Sequence, residues 1–263
     1  MKLLVFDVDG TLVGENGELP QSTIDSINER LKMGDAIAIA SGRPYLGIKQ
    51  YLDLFVEGKK FAIGANGGAT YTFKGEVIDF CALTYKDYLD FFNKYHFLIN
   101  ERNASIYCYT LSTVGYFVLT ENTYLESTCN GNIALQDFNK EPINLDEPIL
   151  KIMVACEQSD LVDVPFKEEK ERFHYVDSSS FYHEFVNLNT DKARGVEVLC
   201  KMMHICAKDC YCFGDEMNDF QMIKEFNGVA MGNAVEKVKK IAKFITLNQK
   251  EDGVSYAIKN YVE

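Results

Sequence analysis

The amino-acid sequence predicts an α/β protein, in which a Rossmann-like parallel-sheet core is interrupted by an inserted α+β domain. Short apolar runs stop abruptly at small or polar residues, which is typical of strands buried on both faces of a parallel sheet. A helical segment joins the first two runs and completes a βαβ unit. The pattern becomes mixed between residues 83 and 186, and the first pattern then returns.

The core elements follow from their apolar spacing. Residues 22–33 place Ile24, Ile27 and Leu31 on one helical face, between a preceding proline and a following glycine. A second core helix is predicted over residues 191–203. Core strands are predicted at 3–6, 36–40, 61–65, 211–215, 228–231 and 244–247.

The inserted segment has the mixed pattern of helix and strands that is typical of a separate α+β domain. An amphipathic helix is predicted at 86–97, and strands rich in Tyr, Val and Phe are predicted at 104–111, 115–120 and 149–156 and within 173–185. We therefore predict a discontinuous core of residues 1–82 and 187–263 and an insert of residues 83–186.

Composition limits the classes of partner. The 263 residues include 39 acidic and 27 basic side chains, a net charge of −12, which repels nucleic acid and anionic membrane surfaces. The opening residues lack the features of a secretory signal, and no apolar run is long enough to span a membrane. We expect a cytoplasmic protein, monomeric or weakly homo-oligomeric, that binds neither nucleic acid nor membranes. This charge is still compatible with a small phosphorylated partner, because a few cations and one bound metal ion can locally reverse the field.

Two carboxylates at the end of the first strand carry the strongest chemical signal. Asp7 and Asp9 would share a face of a continuing strand, where mutual repulsion opposes ionisation of both. Mg²⁺ would relieve this conflict, because it prefers carboxylate oxygens. Asp7 is then a candidate covalent nucleophile toward phosphorus, and Asp9 a candidate general acid and base. Gly10 permits the sharp turn that follows, and Thr11 completes the motif.

A second polar motif follows the second strand. Ser41 and Gly42 offer a hydroxyl group and exposed backbone amides at the start of a helix, an arrangement that suits phosphate oxygens. In isolation the same residues would be an ordinary helix cap followed by an early proline. Their position at the carboxyl end of a strand favours phosphate binding, because ligands of open parallel sheets bind at that edge.

The third motif is an acidic loop after residue 214. Asp215 is a candidate metal ligand, and Asn218 and Asp219 are candidates to support the metal or the loop. Lys192, at the start of the later core helix, could neutralise the nucleophile and the transferring phosphoryl group. Arg194 is a competing candidate for that role.

Taken together, the motifs resemble those of the haloacid dehalogenase superfamily. The likeness rests on the segments Asp7-Val8-Asp9-Gly10-Thr11, Ser41-Gly42-Arg43-Pro44, Lys192 and Gly214-Asp215-Glu216-Met217-Asn218-Asp219. Further segments resemble its Cof-type branch: Asn66-Gly67-Gly68, Gly228-Val229-Ala230-Met231-Gly232-Asn233-Ala234 and Glu251-Asp252-Gly253-Val254. The insert is similar to a type C2 cap, of the C2B kind, which selects the substrate.

The resemblance implies a function and assigns roles to residues. It implies a Mg²⁺-dependent phosphatase for small phosphomonoesters, chiefly sugar phosphates. Asp7 would be the nucleophile and Asp9 the acid and base, with Mg²⁺ on Asp7, Asp215 and the backbone carbonyl of Asp9. Ser41, Gly42, Lys192 and Asn218 would bind phosphate. Family members often have glycine directly after the lysine, whereas here Ala193 and Arg194 precede Gly195.

Selection of the leaving group is assigned to a separate set of candidates. These are Arg43, Asn189 and, within the insert, His183, Glu184 and the serine run at 178–180. Two alternatives remain open. A phosphomutase of the same superfamily would return the phosphoryl group to a sugar, and a non-catalytic phosphate-binding module would need no acid such as Asp9.

Overall fold

The structure is a computed structural model that describes residues 1–14, 17–141, 143–157, 164, 166–177 and 181–262. The chain divides into two compact units. One comprises Met1–Asp79 and Asp191–Glu263, and the other comprises Phe80–Thr190. The sequence placed these breaks after residue 82 and before residue 187.

The first core segment alternates strands and helices. Its elements are β1 (Leu3–Phe6), α1 (Gln21–Lys32), β2 (Ala36–Ala40), α2 (Tyr45–Leu52), β3 (Lys59–Gly64), β4 (Ala69–Thr72) and β5 (Val77–Phe80). Every side chain of β1 and β2 is fully buried, as expected for strands covered on both faces. The predicted helix 22–33 is confirmed within one residue at each end.

The insert combines helices with short strands. Its elements are β6 (Leu83–Thr84), α3 (Tyr85–Tyr95), α4 (Phe97–Glu101), β7 (Ser105–Tyr109), β8 (Thr113–Tyr116), α5 (Glu121–Cys129), β9 (Ala134–Asp137), β10 (Pro148–Ile149), β11 (Lys151–Ala155), β12 (His174–Asp177) and β13 (Tyr182–Val186). The predicted strand at 115–120 is wrong beyond Tyr116, because Thr120 instead caps α5 through its side chain.

The second core segment resumes the first pattern. Its elements are α6 (Lys192–Met203), β14 (Cys210–Gly214), α7 (Phe220–Glu225), β15 (Asn227–Ala230), α8 (Glu236–Ile241), β16 (Phe244–Ile245) and α9 (Gly253–Tyr261). Asp191 caps α6 by accepting a hydrogen bond from the Arg194 amide at 2.9 Å. This cap fixes the first helical residue, Lys192.

The core sheet has the order β16-β15-β14-β1-β2-β3-β4-β5. The strands from β16 to β3 run parallel, and β4 pairs antiparallel with β3. The predicted α/β class and parallel core are therefore confirmed, with an antiparallel edge that the apolar pattern did not show. Because β1 lies between β14 and β2, the residues that follow these three strands meet at one edge.

The insert has its own sheet and apolar core. The six-stranded sheet has the order β12-β13-β11-β7-β8-β9, and β6 pairs separately with β10. Aromatic side chains of α3, among them Tyr88 and Phe91, share one buried apolar cluster with Ile152 and Phe185 of the sheet, and the Phe91 and Phe185 ring centroids lie 4.7 Å apart. Across the described residues, no helix has both the length and the apolar composition that a bilayer span requires.

Candidate active site

The site lies at the carboxyl ends of three neighbouring core strands. Asp7 follows β1, Ser41 follows β2 and Asp215 follows β14 directly. The Asp7 amide donates to the Phe213 carbonyl at 3.0 Å, which extends the β1–β14 pairing by one residue and fixes the direction of the Asp7 side chain. The sequence-predicted convergence of these strand ends is therefore present within one unit.

Lys192 forms a buried cationic centre between two carboxylates. Its Nζ lies 2.6 Å from Asp7 Oδ1 and 2.6 Å from Asp219 Oδ1. The Lys192 and Asp219 side chains are fully buried, and Asp7 is 6% exposed. Arg194, the competing candidate, instead pairs with Asp79, so Lys192 is the cation beside Asp7.

The acidic loop is held by hydrogen bonds within and beyond itself. Asp219 Oδ2 accepts the backbone amides of Asp215 at 2.9 Å and Glu216 at 3.1 Å. The Thr11 hydroxyl donates to Asp215 Oδ1 at 2.9 Å, and Asn233 Nδ2 lies 3.3 Å from Asp215 Oδ2. Thr11 therefore contacts the side chain of the predicted metal ligand Asp215, and Asp219 contacts its backbone amide.

The electrostatics reflect an excess of acid. Burial, with repulsion from Asp219 and Asp215, raises the pKa of Asp7 well above its ordinary value, although Lys192 opposes the shift. Burial, followed by repulsion from the Asp219 carboxylate, raises the pKa of Asp215 to about 7. Burial alone would lower the pKa of Lys192, but its two carboxylate partners outweigh burial and raise it. Lys192 therefore stays charged.

These carboxylates could hold a metal ion. One oxygen from each of Asp7, Asp215 and Asp219 lies within 4.8 Å of the others, and all three residues are buried. The donor set consists entirely of hard oxygen atoms, which suits a cation of the Mg²⁺ type. A divalent cation would also relieve the repulsion that raises the pKa values of Asp7 and Asp215. The residues present therefore fit a metal ion.

Asp9 lies apart from this buried cluster. Its side chain is 62% exposed and forms a two-point ion pair with Arg43, with Nε 3.1 Å from Oδ2 and Nη2 2.9 Å from Oδ1. The carboxylate that was predicted to be the acid and base is therefore exposed to solvent at the end of β1. Its partner Arg43 was predicted only as a specificity residue.

Ser41 and Gly42 form a tight loop against a second turn. Ser41 is buried, its carbonyl accepts the Asn66 amide at 2.9 Å, and its hydroxyl accepts the Arg43 amide at 3.3 Å. A Cβ on Gly42 would lie 3.2 Å from Asn66 Oδ1. Asn218, predicted to bind phosphate, donates from Nδ2 to the same Asn66 oxygen at 3.3 Å. Asn66 therefore joins the two motifs that are predicted to bind phosphate.

Asn66 and Asn233 are contacts of the site to which sequence reasoning gave no role. Asn66 adopts a left-handed conformation, with φ of 57°, in the turn after β3. Asn233 Nδ2 donates to the Gly10 carbonyl at 2.9 Å. Both residues stand in motifs quoted for the Cof-type likeness, and an amide beside glycine in each motif was the available signal.

Two glycines allow close approaches. Gly10 has φ of +87°, and a Cβ there would lie 2.2 Å from Asp215 Oδ2. Gly195, the displaced glycine after the lysine, packs against β3, where a Cβ would lie 2.4 Å from Ile63 Cγ2. The helix that carries Lys192 can therefore lie close to the sheet with glycine at this later position.

The specificity candidates His183, Glu184 and Asn189 make contacts within the second unit, Phe80–Thr190. His183 is buried in β13 and lies 2.6 Å, through Nδ1, from the Tyr175 hydroxyl. Glu184 is buried and pairs with Lys151 at 3.1 Å. Asn189 is exposed, and its amide donates to Asn187 Oδ1 at 3.0 Å. The serine run at 178–180 lies outside the described residues.

Comparison with known proteins identifies the family. The sequence matches the haloacid dehalogenase-like hydrolases over residues 4–258. The chain belongs to this family. A Streptococcus pyogenes protein that is named provisionally as a phosphatase is 28% identical over 274 residues, which cover 100% of this chain and 98% of that protein. The haloacid dehalogenase-like fold and hydrolase class predicted from the motifs are confirmed.

Solved structures resemble this chain in fold over nearly its whole length. A haloacid dehalogenase-like hydrolase from Bacteroides thetaiotaomicron superposes with a TM-score of 0.83 at 27% identity, covering 98% of each chain. The subclass IIB sugar phosphatase BT4131 superposes with a TM-score of 0.76 at 23% identity, covering 99% of each chain. With the family match and the phosphatase relatives, this chain is a phosphatase of the haloacid dehalogenase type.

Proposed function

We propose that this haloacid dehalogenase-type phosphatase is a Mg²⁺-dependent phosphomonoesterase that acts on small phosphorylated metabolites, chiefly hexose phosphates, through an aspartyl phosphate on Asp7. The observation that carries the proposal is the Asp7 carboxylate at the end of β1. Lys192 holds its Oδ1 at 2.6 Å, which leaves Oδ2 to attack. A buried, oriented carboxylate beside a fixed cation is suited to approach an anionic phosphate.

In the first step, Asp7 Oδ2 forms a bond to phosphorus while the bond to the leaving oxygen breaks. The leaving oxygen takes a proton from the Asp9 carboxyl group, so the products are an alcohol and an acyl phosphate on Asp7. In the second step, the Asp9 carboxylate accepts a proton from water as the water oxygen attacks phosphorus. The bond to Asp7 then breaks, and inorganic phosphate leaves.

The remaining core residues orient the phosphoryl group. The Lys192 ammonium neutralises charge on the nucleophile and on the transferring group. The Ser41 and Gly42 loop and Asn218 would donate to phosphate oxygens. Asp7, Asp215 and the backbone carbonyl of Asp9 would hold Mg²⁺, while Asp219 supports the loop and Lys192. When bound, Mg²⁺ would supply positive charge that offsets repulsion between the carboxylates and the phosphate.

The substrate class is supported by a structural likeness and by the net charge. The structural likeness to BT4131, itself titled a sugar phosphatase, agrees with a phosphorylated sugar. The net charge of −12 disfavours polyanionic substrates and is compatible with a small phosphomonoester. Screening the protein with Mg²⁺ against sugar phosphates, nucleotides and pyridoxal phosphate tests this part. Highest kcat/KM for a nucleotide would reject hexose phosphates.

Replacing Asp7 by Asn tests the catalytic proposal. We expect Asp7→Asn to lower Mg²⁺-dependent phosphate release at least ~10³-fold, because covalent catalysis through this oxygen is lost. Asp53→Asn, which removes an exposed carboxylate of the core paired with Lys49, should behave as wild type. Unchanged turnover in Asp7→Asn, with the thermal midpoint retained, would reject Asp7 as the nucleophile.

Two further measurements separate the roles of Asp9 and of the metal ion. Asp9→Asn should hydrolyse slowly, and it should be least impaired with p-nitrophenyl phosphate, whose leaving group departs without a proton. Equal loss with alkyl phosphates would contradict the acid role. Removal of divalent cations by EDTA should abolish turnover, and added Mg²⁺ should restore it. Full activity in EDTA would reject Mg²⁺ dependence.

A further inference from the structure

The ion pair between Arg43 and Asp9 has an unusual setting for a surface contact. Arg43 Nε and Nη2 approach the two carboxylate oxygens of Asp9 at 3.1 and 2.9 Å, which is the planar two-point geometry that only arginine provides. The Asp9 side chain is 62% exposed, whereas that of Arg43 is 27% exposed. An exposed ion pair adds little to folding stability, so stability alone gives no reason for the contact.

Arg43 is anchored more firmly than its exposed partner. Its amide donates to the Ser41 hydroxyl at 3.3 Å, and its carbonyl accepts the Ala65 amide at 3.0 Å. Its guanidinium carbon lies 5.8 Å from the centroid of the Tyr51 ring. The backbone of the Ser41 loop and the aromatic face of α2 therefore hold the guanidinium group, and the guanidinium group in turn can hold Asp9.

Without this contact, the Asp9 carboxylate would have several accessible orientations. A proton donor and acceptor must lie within hydrogen-bond distance of the oxygen that it serves, and small errors in position lower the rate strongly. The neighbouring Asp7 is fixed by burial and by Lys192, whereas the Asp9 side chain is 62% exposed and its carboxylate is held by Arg43.

We propose that Arg43 is a positioning residue that holds the Asp9 carboxylate in the orientation needed for proton transfer. The inference rests on the proposed function, in which Asp9 gives its proton to the leaving oxygen and later takes one from water. Arg43 itself exchanges no proton, because its guanidinium group stays charged.

A double-mutant cycle distinguishes action through Asp9 from action on the substrate. Steady-state kcat and KM for glucose 6-phosphate, an alkyl phosphate whose leaving oxygen needs a proton, are measured for wild type, Arg43→Met, Asp9→Asn and the double variant. We expect Arg43→Met to lower kcat by about 10–100-fold, part of the 10²–10⁴-fold that general acid–base catalysis supplies, with little change in KM. In the Asp9→Asn background the same substitution should change kcat less than about 2-fold.

Two controls make the cycle decisive. Arg43→Lys keeps the charge but loses the two-point fork, so it should recover only part of the lost kcat. Lys49→Met removes a cation of the nearby helix α2, paired with Asp53 at 2.6 Å, and should leave kcat and KM unchanged. Thermal midpoints of all variants show whether each one is folded.

The outcomes also separate this inference from the proposed function. An equal loss of kcat in both backgrounds, a loss confined to KM, or no loss at all would overturn the positioning role of Arg43. Retained activity in Asp7→Asn would overturn the aspartyl phosphate itself. If Asp7→Asn is inactive and Arg43→Met acts equally with and without the Asp9 carboxyl group, the function stands and only the role of Arg43 falls.

Discussion

Lys192 offers the sharpest test of how the fold tolerates its acidic cluster. Lys192→Met removes the positive charge between Asp7 and Asp219 while keeping an unbranched side chain of similar length. The ammonium group lies 2.6 Å from oxygens of Asp7 and Asp219, and both lysine and Asp219 are fully buried. The substitution leaves these two carboxylates and Asp215 buried without that cation.

The expected cost follows from this burial. Removing one partner of a buried ion pair destabilises a protein by about 3–5 kcal/mol, because the remaining charge has neither water nor a counter-ion. For 150–250 residues, each kcal/mol lowers the thermal midpoint by about 2–4 °C, so the core transition should fall by roughly 6–20 °C. Phosphate release should be lost as well, since Lys192 orients Asp7.

Calorimetry in metal-free buffer containing EDTA measures this cost without a compensating cation. Lys60→Met is the matched control, because Lys60 is also buried but donates to the carbonyl oxygens of Leu52 and Phe55, each at 2.9 Å. Its loss leaves two carbonyl acceptors unpaired, whereas the loss of Lys192 leaves buried negative charge. We expect the smaller change in thermal midpoint for Lys60→Met.

A second substitution, Asp219→Asn, tests whether uncompensated negative charge causes the loss of thermal stability in Lys192→Met. Combined with Lys192→Met, it removes one carboxylate from the uncompensated cluster, so the double variant should be more stable than Lys192→Met alone. The same change should not stabilise Lys60→Met. An unchanged midpoint for Lys192→Met, or simple addition of the two losses in the double variant, would refute the electrostatic reasoning.

Two further predictions concern a strained turn and the insert. Asn66→Gly and Asn66→Ala should lower phosphatase kcat/KM equally, because both lose the contact with Asn218, but only Ala should add about 1–2 kcal/mol of strain at positive φ. Full activity of Asn66→Gly would contradict this. Burial raises the pKa of Glu169, but hydrogen bonds from Lys94 and Tyr95 outweigh it, so the pKa lies below its ordinary value. Stability from this depressed pKa is present above the unfolded-state pKa and is lost as pH falls through the folded-state value, so Glu169→Gln should cost about 1–2 kcal/mol at pH 7 and less below about pH 4. Urea unfolding of the insert measures the cost, and a pH-independent difference would contradict it.

The sequence predicted best what depends on local apolar pattern. The runs before Asp7, Ser41 and Asp215 end where the strands end, because a fully covered parallel strand is an uninterrupted apolar run. A helix was expected to begin after Ser41 and Gly42, but the extent of α2 was not predicted, because its eight residues present few turns of periodicity. The antiparallel strand β4 was missed because its four residues are too few to show a clear strand pattern. Its pairing direction has no local signal in the sequence.

The contacts of the site depend on tertiary placement and could not be predicted to the same depth. The sequence left Lys192 and Arg194 as rivals, and only the capped start of α6 directs Lys192 to Asp7. The contact of Asn66 with Asn218 joins residues 152 positions apart in the chain. Nothing in either local pattern specifies that side-chain contact.

The same geometry explains how one cluster can be both stable and reactive. Asp219 accepts two loop amides with one oxygen and Lys192 with the other, so its negative charge is largely compensated by groups that hold the fold. Asp7 gives Lys192 only one oxygen, and Asp215 receives neutral donors from Thr11 and Asn233. The negative charge that the fold leaves uncompensated therefore resides on Asp7 and Asp215, the two carboxylates proposed to share a cation, and this imbalance would favour both metal binding and the attack of Asp7 on phosphorus.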